Sequence, residues 1–164
     1  CILTRMRNYH MTKILLKVEL VPKTSHFVNL RSILKTAEWD LLRKDSYKQA
    51  NHCCEICGGK GNKWPVECHE IWHYEEGDQT LTGLIALCPS CHEVKHMGLA
   101  QVRGRDKIAT KHLEKINEWS EQESGKHIKE EFTQWAERAK ETWVLNIDWA
   151  YEKLKEIKNE NRKE

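Results

Sequence analysis

The sequence predicts a small α+β fold in one domain. Two stretches, 13–21 and 143–149, alternate apolar and polar residues with the two-residue period of a strand. Three others, near 37–50, 106–119 and 126–141, carry apolar residues at helical spacing. Between them, at 53–98, cysteines gather in closely spaced pairs. The length of 164 residues fits a single domain. An apolar content of 39% with seven Trp supplies buried surface that a disordered chain lacks.

Taken in order, residues 1–12 show no period and read as a loose leader. The stretch 13–21 puts Ile14, Leu16, Val18 and Leu20 on one face, and Pro22 ends it. A helix is predicted from Ala37 to Ala50, with Thr36 as its N-cap and Trp39, Leu42 and Tyr47 on one side. The apolar run Gly83–Leu87 reads as a strand, and a helix is expected to start near Pro89. Ile108, Leu113, Ile116 and Trp119 mark a helix over Asp106–Trp119. Ile128, Phe132, Trp135 and Ala139 mark another over Lys126–Glu141. Trp143, Leu145, Ile147 and Trp149 alternate with Val144, Asn146 and Asp148 as a strand, which is expected to pair with 13–21. The last 14 residues hold five Lys/Arg and four Glu and read as a frayed helix or disordered tail. The segments are therefore 1–52 (strand and helix), 53–98 (cysteine-rich core), 99–150 (helices and strand) and 151–164 (charged tail). The Trp rows read as core; Trp64 and Trp72, inside the cysteine-rich segment, are set apart from them.

No apolar run approaches the roughly 18 residues of a membrane span. Cys1–Arg7 lacks the basic start and apolar stretch of a secretion signal. The expected setting is therefore cytoplasmic, with no membrane partner. The net charge of +2 conceals an asymmetry. Residues 1–63 hold 12 Lys/Arg against 5 Asp/Glu, and residues 64–164 hold 15 against 20. A basic front half suits a polyanion.

Seven cysteines are present, and four form the pairs Cys54-x-x-Cys57 and Cys88-x-x-Cys91, 30 residues apart. In a reducing compartment such pairs read as metal knuckles, not bridges. Together they can close a tetrahedral four-cysteine site for structural Zn2+. Gly58, Gly59 and Pro89 suit the turns that knuckles require. Cys53 is an alternative to Cys54; Cys1 and Cys68 read as bystanders. A second group follows: His69-Glu70, then His92 and His96. At i, i+4 on a helix, His92 and His96 project from one face about one turn apart, where both can reach one ion with His69.

These residues, in the order Cys54-x-x-Cys57, Val66-Glu67-Cys68-His69-Glu70-Ile71, Leu84-Ile85-Ala86-Leu87-Cys88-Pro89-Ser90-Cys91-His92 and Lys95-His96, resemble the HNH nuclease family. The resemblance covers about 45 residues, 54–98. It implies a β-hairpin and helix gripping one catalytic metal, braced by a four-cysteine zinc knuckle. His69, His92 and His96 fall on the family's metal-ligand positions. Glu70 falls where the family has its general-base His, and Gly83 where it has its middle Asn.

The resemblance implies a metal-dependent endonuclease acting on DNA, or a module of the same fold that binds nucleic acid or a protein without cutting. A purely structural zinc ribbon would follow if the three histidines did not converge. Imidazole ligands suit Zn2+, Ni2+, Co2+ or Mn2+ better than Mg2+ as the second ion. Glu70 would act as base or bind the metal; His73 is the other candidate base. Lys95, Arg103, Arg105 and Lys107 are the expected phosphate contacts, with Lys60 and Lys63 beside the first knuckle. A homodimer would suit cleavage of both strands.

Overall fold

The computed structural model describes residues 15–25 and 29–162. The leader 1–12, Cys1 and Ile14 lie outside the described residues, as do residues 163–164 of the tail. The fold is α+β. Its centre is a three-stranded sheet of order β1-β2-β3, with β1 at Glu67–Glu75, β2 at Asp78–Leu87 and β3 at Val144–Asn146.

β1 and β2 form an antiparallel hairpin with His69 opposite Ile85 and Glu70 opposite Leu84. Glu76 and Gly77 turn it, both at positive φ (48° and 86°), as a tight turn matched to strand twist requires. The register shifts between Ile71 and Trp72, where Thr82 is the extra residue and its hydroxyl donates to the Ile71 carbonyl at 3.1 Å. This bulge changes the phase of β2. Leu84 and Leu81, three residues apart, thereby reach the same core, which strict alternation forbids.

The hairpin separates two cores. Ile85 and Leu87 face the first, with Leu16, Val18, Leu20, Val94, Met97 and Leu113. Cys68, Trp72, Leu81 and Leu84 face the second, with Leu30, Trp39, Leu42, Leu154 and Ile157. Helices complete each side. α1 (Leu30–Ile33), α2 (Thr36–Gln49) and α7 (Asp148–Glu160) cover the second core. α3 (Pro89–Lys95), α4 (Met97–Val102), α5 (Asp106–Asn117) and α6 (Glu121–Arg138) cover the first. No described helix is long and apolar enough to cross a membrane.

Several expectations are corrected. Residues 15–22 do not pair with 143–149. The burial alternates as expected, with Leu16, Val18 and Leu20 buried and Leu15 and Lys17 exposed. The backbone partners, however, come largely from helices. Asn117 Oδ1 accepts the N–H groups of Leu15 and Leu16 at 2.9 and 3.0 Å, and its Nδ2 donates to the Leu16 carbonyl at 2.7 Å. Val18 N–H donates to His127 Nε2 at 3.1 Å, and Glu19 N–H to the Lys95 carbonyl at 3.0 Å. Buried peptide groups need partners, and polar side chains here replace a ladder. β3 instead pairs in parallel with the start of β2, Asp78–Thr80.

The strand expected over 143–149 ends at Asn146, because Ile147, Ala150, Leu154 and Ile157 form a buried helical stripe that continues as α7. The tail is thus helical to Glu160. α6 starts five residues before the expected Lys126, at a Ser120–Glu123 capping box. α2 begins at Thr36 itself, with Lys35 as the cap residue, and its third buried position is Ser46 in place of Tyr47. In α5, Ala109 is buried and Ile108 is exposed.

Candidate metal centres

The first centre is built where β2 ends and α3 begins. Glu55 splices the first cysteine turn to β2: its N–H donates to the Ala86 carbonyl at 3.0 Å, and its carboxylate accepts Ala86 N–H at 2.7 Å. The turn closes on itself, with Gly58 N–H donating to Cys54 O at 2.8 Å and Gly59 N–H to Cys57 Sγ at 3.4 Å. Cys88 is the N-cap of α3, and Cys91 sits in its first turn behind Pro89. The residues after the turn fold onto Pro89. A Cβ on Gly61 would lie 2.2 Å from the Trp64 carbonyl and 2.6 Å from Pro89 Cδ, so only glycine fits.

The sulfurs of Cys54, Cys57, Cys88 and Cys91 all lie within 4.8 Å of one another, with Cys57 and Cys88 at 3.6 Å. Tetrahedral thiolates around an ion at about 2.3 Å sit about 3.8 Å apart. The donor set therefore fits a metal ion. The electrostatics agree. Hydrogen bonds from Cys88 and Cys91 drive the Cys54 thiol far down, while bonding to Cys54 pushes Cys88 up to about 11 and Cys91 further up. A cation would take the place of the protons shared among the four sulfurs. His112 Nε2 lies 3.2 Å from Cys91 Sγ and adds an outer contact. Cys53 is not in the cluster, and Cys68 lies against the second core.

The second centre joins β1 to α3 and to the break after it: His96, expected on the same helix as His92, is the non-helical residue (φ −96°, ψ 46°) between α3 and α4. His69, His92 and His96 offer ring nitrogens within 4.8 Å of one another. Their ring centroids are 4.7 to 5.3 Å apart, with planes crossed at 72–78°. His92 Nε2 and His96 Nε2 face each other at 3.1 Å. Burial first, then the neighbouring imidazoles, pull His96 down to about 3; burial also lowers His69. Both are thereby kept in the neutral form that binds metal.

Outer partners fix the rings. Glu67 Oε2 lies 2.6 Å from His92 Nδ1, and Glu19 Oε2 lies 2.9 Å from His69 Nε2. Burial opposes ionisation of Glu19, but the bond from His69 and the Lys95 ammonium, 2.7 Å from its Oε1, bring it down to about 2. Glu19 and His112 carry no sequence signal, because each lies outside the motif; Glu67 lies within it, but its partner His92 is 25 residues away.

The remaining site residues fall elsewhere. Glu70 occupies the face of β1 opposite His69; its carboxylate accepts Leu30 N–H at 2.9 Å and Trp72 Nε1–H at 3.1 Å. Burial raises it. His73 shares the His69 face but stands about 13 Å further along the strand, exposed and 3.2 Å from Glu75. Gly83 pairs with Ile71, whose Cδ1 would be the nearest atom to a Cβ there, at 3.7 Å. Lys95 is buried against Glu19, which removes it from the surface expected of a phosphate contact. Arg105 forks onto Glu93. Arg103 and Lys107 are exposed. Trp72 lies against the second core, and Trp64 is 60% exposed.

No family model matches the chain, and no curated protein or solved structure does either.

Proposed function

We propose that the chain is a metal-dependent endonuclease of the HNH type, hydrolysing DNA phosphodiester bonds with one divalent ion at His69, His92 and His96, and using zinc at the four cysteines as a brace. One observation carries the reading: three imidazoles converge beside an open groove of about 320 Å³ lined by Glu67, Pro89, His92, Glu93, His96 and Arg103. A bound ion would supply positive charge to the phosphate and the leaving oxygen. The three imidazoles would hold the ion, and the exposed Arg103 guanidinium at the groove suits a bidentate phosphate contact.

A second reading, binding of nucleic acid without cleavage, is favoured by the position of Glu70. Its carboxylate is occupied by Leu30 and Trp72 on the far face of the hairpin. The test is nicking of supercoiled plasmid with Mn2+, Mg2+, Ni2+ and Zn2+ in turn. Wild type should nick, His92→Ala should not, and Glu70→Ala, if folded, should retain activity. Retarded but uncut plasmid with every ion would replace the nuclease reading by the second one.

A further inference from the structure

The segment 15–22 reaches the second metal centre from outside the hairpin-and-helix unit, and it delivers one carboxylate. Glu19 bridges two groups. Its Oε2 meets His69 Nε2 at 2.9 Å, and its Oε1 meets Lys95 Nζ at 2.7 Å. A backbone bond from Glu19 N–H to the Lys95 carbonyl fixes the pair a second time. Lys95 is 5% exposed and His69 6% exposed. A buried ammonium is costly unless paired, and its burial here is explained by the carboxylate it faces. Leu16, Val18 and Leu20, all buried, anchor the segment on either side of Glu19.

We infer that Glu19 is a positioning residue for the second metal centre: it holds His69 with its proton on Nε2, so that Nδ1 is the nitrogen offered to the ion, and Lys95 holds Glu19 in turn. This rests on the reading of His69, His92 and His96 as a metal centre. An ionised carboxylate only accepts, so the neutral ring facing it donates through Nε2 and keeps its lone pair on Nδ1. His92 is held the opposite way. Glu67 Oε2 faces its Nδ1 and so accepts from an N–H there, which leaves Nε2 on the side of His96. The two carboxylates thus assign a different nitrogen to each histidine. Because the Lys95 charge offsets that of Glu19, the orienting group need not reduce the net charge around the ion.

The experiment uses the full chain with its cysteine site loaded with zinc. Long-range 1H–15N spectra without added second ion read the His69 tautomer, and calorimetry with Ni2+ reads affinity. Wild type should show His69 protonated on Nε2 and bind one Ni2+. Glu19→Ala should lose that tautomer preference and bind Ni2+ about 10- to 100-fold more weakly, the usual effect of losing an outer partner. Glu19→Gln keeps an acceptor and should lose less. If Glu19→Ala fails to fold because Lys95 is left unpaired, Glu19→Ala combined with Lys95→Met removes the stranded charge; affinity should remain low. Wild-type affinity in either variant, or an Nδ1-protonated His69 in wild type, overturns the inference. Wild type that takes up no second ion would overturn the metal-centre reading itself.

Discussion

Nδ1 of His92 and Oε2 of Glu67 are 2.6 Å apart, across the junction between the first residue of β1 and the middle of α3. The contact fixes the rotation of the ring and leaves its other nitrogen facing His96. Strand and helix thereby determine jointly where the imidazole points. Glu67→Ala should free the ring and weaken binding of the second divalent ion about 10- to 100-fold. Calorimetry on zinc-loaded protein checks this. The zinc content should stay unchanged, because Glu67 is not among the four sulfur donors.

Cys88 serves both as N-cap of α3 and as a member of the sulfur cluster. Structural zinc binding contributes roughly 10–16 kcal/mol in small zinc domains. Cys88→Ser should therefore lose bound zinc and melt far below wild type, and chelation of the wild type should have a similar effect. A melting curve with a parallel zinc assay checks both. A Cys88→Ser protein that melts like wild type would refute the four-sulfur assignment.

His127 accepts the Val18 N–H through Nε2, which requires that nitrogen to be unprotonated. Burial lowers this histidine below its ordinary value of 6.5. The unfolded chain takes up the proton first as pH falls, so stability is lost as pH drops through about 6.5 and levels off below the folded value. His127→Gln retains an acceptor without a titrating group. The difference in melting temperature between wild type and His127→Gln should shift against the wild type from pH 7.5 to pH 5.5. A difference independent of pH would contradict the assignment.

The parts of the fold legible in the sequence are those whose information is local. The two C-x-x-C turns and the His92/His96 pair have fixed spacing, and the four sulfurs and three imidazoles are brought together. What failed was mostly non-local. The alternation at 15–20 is genuine, but it reports burial alone. Asn117, His127 and Lys95 satisfy its backbone from 76 to 109 residues away, which no period encodes. At 143–149 two periods overlap: Ile147 belongs to the strand pattern and also opens the stripe Ala150, Leu154, Ile157. The start of α6 is legible in Ser120 and Glu123, a local signal outweighed by the stronger apolar stripe further on. Glu70 shows the limit of motif position. Adjacency to His69 in sequence places it on the opposite face of a strand, where it supports Leu30 and Trp72.

The strap at 15–22 bears on portability. Residues 53–98 contain all seven sulfur and imidazole donors, and a designer would be tempted to excise them as a self-sufficient cassette. Transplanted alone, that cassette would leave behind the carboxylate beneath His69, the counter-charge for Lys95, and the leucines and valine that roof α3. The donors would travel without the foundation that aims them.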